Sequence, residues 1–220
     1  MYGFVIAMEC ELRPFIDKKE YGVKRVSGRD FYYFSIAGGD AVAVLSGVGK
    51  VNAAYSAALL LNLHENIEVV FSVGVSGGLG ALNIFETIVA EKCVQHDFDT
   101  TALGDPIGLV ATVNKVFFES DRKFLDAALS KGLKTGIIAC GDMIVADSAL
   151  CARIIENFGA KAVDMESASV AQCALIAGVP FCAVRSISDG ADENAESSFA
   201  LNAERAAKHA AEAVVQLLSK

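Results

Sequence analysis

The stretch EVVFSVGV, residues 68–75, is apolar at nearly every position rather than at every second one. A strand with one face in water alternates, so a continuous run requires cover on both faces. Seven further segments read as strands: YGFVIAM (2–8), FYYFSIA (31–37), AVAVLSG (41–47), TIVAEKCV (87–94), TGIIACG (135–141), KAVDM (161–165) and FCAVRSIS (181–188). Helical periodicity fills the intervals at 50–64, 121–131, 147–157, 166–177 and 196–219. In the last, Phe199, Ala203, Ala207, Ala210, Val214 and Leu217 form one apolar stripe. GGD at 38–40 turns one strand back on its neighbour. With no repeats or linkers, the chain predicts an α/β fold. Residues 1–220 are expected to form a single-domain three-layer αβα sandwich around a mixed, mostly parallel central sheet. Ligands of such folds gather where strands end.

Composition narrows the partners. The chain is 53% hydrophobic, ample for a core, and carries a net charge of −8 without a basic run. Nucleic acid and anionic membrane surfaces are therefore poor partners. No stretch approaches the apolar length of a bilayer span, and MYGFVIAMECE lacks the layout of a signal peptide. Six cysteines without a CxxC read as reduced thiols, so a cytoplasmic protein is expected.

Several motifs fail on inspection. SGVGK (46–50) lacks the glycine a Walker loop needs, with Val44 in its place, and Val51 replaces the Ser or Thr after the lysine. GVSGGLG (74–80) fits a nucleophile elbow through Gly74, Ser76 and Gly78, yet GGLGALN starts a helix poorly and His209 lies inside a long helix. HDFD offers His96, Asp97 and Asp99 to a metal, but the other histidines are distant, and self-bonded loop aspartates suffice. GDP at 104–106 reads as a turn. No metal or cofactor is expected.

What remains is a set of acids where buried strands end. Glu9 and Glu11 follow the first strand, Asp164 and Glu166 flank Met165, and Asp189 comes four residues after Arg185. Each alone could cap a helix. Three strand ends carrying acids, one with an arginine, point to a shared cleft and to chemistry.

The segments AMECE (7–11), SGVGKVNAA (46–54), VGVSGG (73–78), VDMESAS (163–169) and VRSISDGAD (184–192) resemble the nucleoside phosphorylase/nucleosidase superfamily. Within it they are most similar to the branch that cleaves 5′-methylthioadenosine and S-adenosylhomocysteine. The resemblance implies a purine nucleoside as small-molecule substrate and water as nucleophile. It assigns Glu166 to the ribose hydroxyls, which one carboxylate can accept together, and Met165 to an apolar floor beneath the sugar. Asp189, positioned by Ser188, becomes the acid that protonates the leaving base, and Glu11 the base that activates water, with Arg185 near both. Met8 and Val48 match apolar pocket positions, the Val145 backbone a purine contact, and Phe199 the aromatic at the 5′ end. Leu103 matches a position donated to a neighbouring subunit's site, which implies a homodimer. Asp164 has no role in the family's chemistry and is left as a helix cap. Two positions depart from the pattern: Ile144 replaces a base-stacking aromatic, and Val75 replaces Ser or Thr. A futalosine-type nucleoside, a phosphorylase reaction and a nucleoside binder without turnover stay open as alternatives.

Overall fold

Burial of β5 (Val69–Gly78) is complete at all ten positions, the environment its unbroken apolarity predicts. The computed structural model describes residues 1–17 and 20–219. Among these, ten strands join one sheet in the order β10-β6-β8-β9-β5-β1-β4-β3-β2, with β7 paired to β6. The strands are β1 (Tyr2–Ile6), β2 (Gly22–Val26), β3 (Arg29–Ile36), β4 (Gly39–Leu45), β6 (Thr87–Gln95), β7 (Phe117–Glu119), β8 (Lys134–Cys140), β9 (Ala160–Asp164) and β10 (Phe181–Asp189). The helices are α1 (Glu9–Ile16), α2 (Lys50–Leu63), α3 (Arg122–Ser130), α4 (Ser148–Phe158), α5 (Ser167–Ala177) and α6 (Ala195–Leu218). None is long and apolar enough to cross a membrane.

The sheet is mixed, as expected. β1 runs parallel to β4 and β5, β5 to β10, and β8 to β6 and β9. The hairpin strands β2, β3 and β4, and the pairs β10–β6, β5–β9 and β6–β7, are antiparallel. Helices cover both faces. Ala53, Ala57 and Leu60 of α2 and Ala168, Ala171 and Ala174 of α5 pack one side. Leu12 and Phe15 of α1, Phe124 of α3 and Val214 of α6 pack the other.

One topological detail positions the site. β10 pairs along one edge of β5 from Val70 to Gly77. The other edge is shared by β1 at Val69–Ser72 and β9 at Gly77–Gly78. Through β10, β6, β8 and β9 the sheet thus returns to β5 and closes a ring of strands. Between the two partners, backbone near Val75 meets no strand.

Three elements escape the pattern reading. α1 is eight residues long with Pro14 inside it, β2 is an exposed edge strand, and β7 has three residues. The hairpin turn centres on Ala37 (φ 49°) and Gly38 (φ 78°), one residue before the expected place. Two positive φ values match the type I′ twist of a two-residue hairpin.

Candidate active site

The open edge of β5 is occupied by a carboxylate. Glu11, in the first turn of α1, is 4% exposed. Its Oε1 accepts the Val75 N–H at 2.8 Å, and its Oε2 accepts the Met8 N–H at 2.9 Å. A side chain on Gly74 would collide with that carboxylate, so glycine here is a requirement of space. Burial raises the Glu11 pKa, against the opposing pull of Arg185 and the backbone N–H groups.

Arg185 lies at the centre, 2% exposed on β10. Nη1 donates to the carbonyls of Ser72 at 2.8 Å and Val184 at 3.1 Å. Nη2 donates to Ser72 Oγ at 2.9 Å and meets Asp164 Oδ2 at 2.7 Å. Glu166 Oε2 stands further off, at 3.9 Å. Asp164 has two tasks at once. It accepts from the Ser167 N–H at 3.2 Å and Ser167 Oγ at 2.9 Å, capping α5, and it neutralises the buried guanidinium. Breaking such a buried pair from one side typically costs about 3–5 kcal/mol.

Glu166 precedes α5 as its N-cap residue, and the helix starts at Ser167. Its Oε1 accepts the Gly49 N–H at 2.9 Å, from the start of α2. Burial first, then the nearby Asp164 charge, lift its pKa to about 7, with Arg185 and the Gly49 bond opposing. One guanidinium thus faces three buried carboxylates.

Asp189 ends β10 beyond a register shift between Ile187 and Asp189. Such bulges re-aim side chains. Its Oδ2 accepts from Ser188 Oγ at 2.8 Å and its Oδ1 from the Ala191 N–H at 3.0 Å. The Ser188 carbonyl is held by Asn202 of α6 at 3.0 Å. A Cβ on Gly77 would lie 2.9 Å from Asp189 Oδ1. Gly74 and Gly77 therefore make room for the two acids on one strand. The elbow-like GVSGG ends inside β5, with no helix following it.

Residues 1–219 match the sequence profile of the phosphorylase superfamily. The chain belongs to that superfamily. It is 35% identical over 203 residues to the 5′-methylthioadenosine/S-adenosylhomocysteine nucleosidase of Geobacillus kaustophilus, covering 88% of this chain and 86% of that one. It is 33% identical over 222 residues to the aminodeoxyfutalosine nucleosidase of Campylobacter jejuni, covering 97% and 96%. The Neisseria meningitidis 5′-methylthioadenosine/S-adenosylhomocysteine nucleosidase, solved in complex with methylthio-immucillin-A, superposes with a TM-score of 0.93. It shares 31% identity, with coverage of 99% of this chain and 97% of that one.

In this phosphorylase-superfamily chain the remaining expected positions divide by exposure. Met8 and Met165 are half-buried, and Met8 packs against the small apolar cluster of Val75, Ala206 and Ala207. Val145 is buried beside Ala191 and Leu79. Val48, Phe199, Ile144 and Leu103 are exposed, the last two at 75% and 83%. Residue reading gave no site role to Ser72, Gly77, Asn202 or the second task of Asp164, and weighed Gly74 only as part of a nucleophile elbow. The available signal was a serine and glycines inside a strand otherwise built of large apolar residues. Ser76 shares the β5 face of Ser72 and Gly74 by strand alternation, and its buried Oγ has no partner among the described residues.

Proposed function

We propose that this chain is an N-glycosyl hydrolase that cleaves 5′-methylthioadenosine and S-adenosylhomocysteine to adenine and the thioribose product. The reading rests on the strand-end acids and on the relatives' activities. Glu166 would accept the ribose 2′ and 3′ hydroxyls above Met165. Asp189 would protonate the departing purine with Ser188 fixing its carboxyl, while Glu11 takes a proton from water attacking the anomeric carbon. Acid and base flanking an oxocarbenium-like sugar is the logic of glycoside hydrolysis. Met8, Val48 and Phe199 would line the apolar 5′ side, with Val145 and Ile144 at the base.

One observation favours water over phosphate as nucleophile. The Arg185 guanidinium is spent on Ser72, Val184 and Asp164, and the carboxylate of Glu11 is fixed within its field. A phosphate dianion there would face like charge in a desolvated cleft. The test is a phosphate-free assay followed by phosphate titration, with analysis of the sugar. Free thioribose at a phosphate-independent rate is expected; a sugar 1-phosphate would overturn the hydrolase.

The Campylobacter relative supports a second substrate, aminodeoxyfutalosine. Ile144 supplies no aromatic ring to stack on the base, which leaves room for a broader choice of nucleoside. Incubation with a nucleoside panel decides between the substrates. The proposal includes a homodimer in the cytoplasm, in which Leu103, on its exposed turn at Thr101–Leu103, reaches the neighbouring site.

A further inference from the structure

Lys50 of SGVGK and Asp97 of HDFD, two charged residues with no role in the chemistry above, meet in space. Lys50 Nζ lies 2.6 Å from Asp97 Oδ1, with both side chains about one-sixth exposed (16% and 15%), and donates to Gln95 Oε1 at 3.2 Å. Asp97 Oδ2 accepts the Asp142 N–H at 2.9 Å. Asp142 Oδ1 in turn accepts the Lys50 N–H at 2.7 Å. The circuit closes on itself: Lys50 side chain to Asp97, Asp97 to the Asp142 backbone, Asp142 side chain to the Lys50 backbone.

Two corners of the circuit border different parts of the cleft. The residue before Lys50 is Gly49, whose N–H is the bond that holds Glu166 Oε1. Gly49 has φ 101°, a conformation that β-carbon-bearing residues rarely adopt, and a Cβ there would lie 3.2 Å from Asp142 Oδ1. Beyond Asp142, the chain continues through Met143 to Ile144 and Val145, the positions assigned to the base. The ends of β4, β6 and β8 are thereby tied together at one point.

We propose that the Lys50–Asp97 pair is a positioning clamp. It sets the Gly49 N–H against Glu166, and it fixes the origin of the base-side loop at Asp142. Lys50 and Asp97 touch no reacting atom; they act through Glu166 and through residues 142–145. Hydrogen-bonded pairs that are mostly removed from water hold their geometry better than surface pairs, since solvent and salt screen them less. The clamp deepens the nucleosidase reading and rests on it for the identity of the ligand.

The experiment compares wild type, Asp97→Asn, Lys50→Met, the double variant and Lys50→Arg on adenine ribosides and their 2′-deoxy counterparts. If the clamp acts through the ribose anchor, its loss raises KM for the riboside about tenfold, more than it changes kcat, and narrows the riboside preference. The two single losses are non-additive, because either one opens the same circuit, and Lys50→Arg recovers most of the preference. A general structural role would depress ribosides and deoxyribosides alike. An unchanged riboside-to-deoxyriboside ratio in Asp97→Asn, or additive losses, overturns the clamp. Amide exchange reads it independently of turnover. Gly49 and Asp142 should exchange faster in Asp97→Asn while the β5 amides keep their protection; unchanged rates at both overturn it. A wild type that cleaves no nucleoside would sink the nucleosidase reading, and amide exchange would still decide the clamp.

Discussion

Asp189 is restrained in three ways: by the bond from Ser188 Oγ, by the bond from the Ala191 N–H, and by the bare Gly77 beneath it on β5. Asparagine keeps the shape and an acceptor oxygen but cannot give the proton. Asp189→Asn is therefore expected to fold as the wild type does and to lose about a hundredfold or more in kcat. Circular dichroism and adenine release measured together check this; a folded variant with more than a tenth of wild-type turnover removes Asp189 from the mechanism. Glu166→Ala should weaken riboside binding by about 1–3 kcal/mol, leaving deoxyribosides less affected. Equal losses on both sugars would contradict the ribose role. Both acids stand out in the sequence as polar residues at or just past the end of a buried strand, Asp189 closing β10 and Glu166 two residues beyond β9, but their roles come from the family resemblance. Asp164 was half legible: its place before α5 announced a cap, but its partner Arg185 lies 21 residues on, across the ring of strands. No local pattern carries such a contact.

At the scale of elements, β5 shows what period-based reading can and cannot reach. Its unbroken apolar run announced burial on both faces and a central place. It could not announce that β1 and β9 share one edge, since that follows from twist and from the closure of the ring. The gap they leave is where Glu11 binds the Val75 N–H. α1, which delivers Glu11, escaped for a related reason: eight residues with an internal proline give little periodicity. The open edge predicts the outcome of a small substitution. Gly74→Ala places a methyl group against the Glu11 carboxylate and should lower kcat by about a hundredfold, the scale of a lost general base. In a Glu11→Ala background the same methyl finds space and should cost no further stability. Thermal melts of the four proteins test the pairing; a fully active Gly74→Ala would show that Glu11 does not need its present seat.

For the whole molecule, the buried charges make stability depend on pH. Burial is the main reason Glu11 and Glu166 hold protons more tightly when folded, and the charge of Arg185, which also pairs with Asp164 at 2.7 Å, offsets it only in part. A carboxyl whose pKa rises on folding binds more protons in the native state, so its contribution falls as pH rises. For Glu166 the window runs from its ordinary 4.5 to about 7. Its share of the loss is on the order of 3 kcal/mol by the cost of each pKa unit. Other groups oppose this trend. His64 and His96 are pushed down by burial, so the native state favours their neutral form and gains stability as pH rises through the same range. The wild-type curve alone therefore mixes signs, and the informative quantity is a difference. Glu166→Gln keeps an oxygen to accept the Gly49 N–H and removes the titration. Urea unfolding at pH 5, 6 and 7 should show the variant gaining on the wild type steadily across the window. Parallel curves would mean that Glu166 is already ionised at pH 5 in the folded protein, and that Arg185 serves it as fully as it serves Asp164.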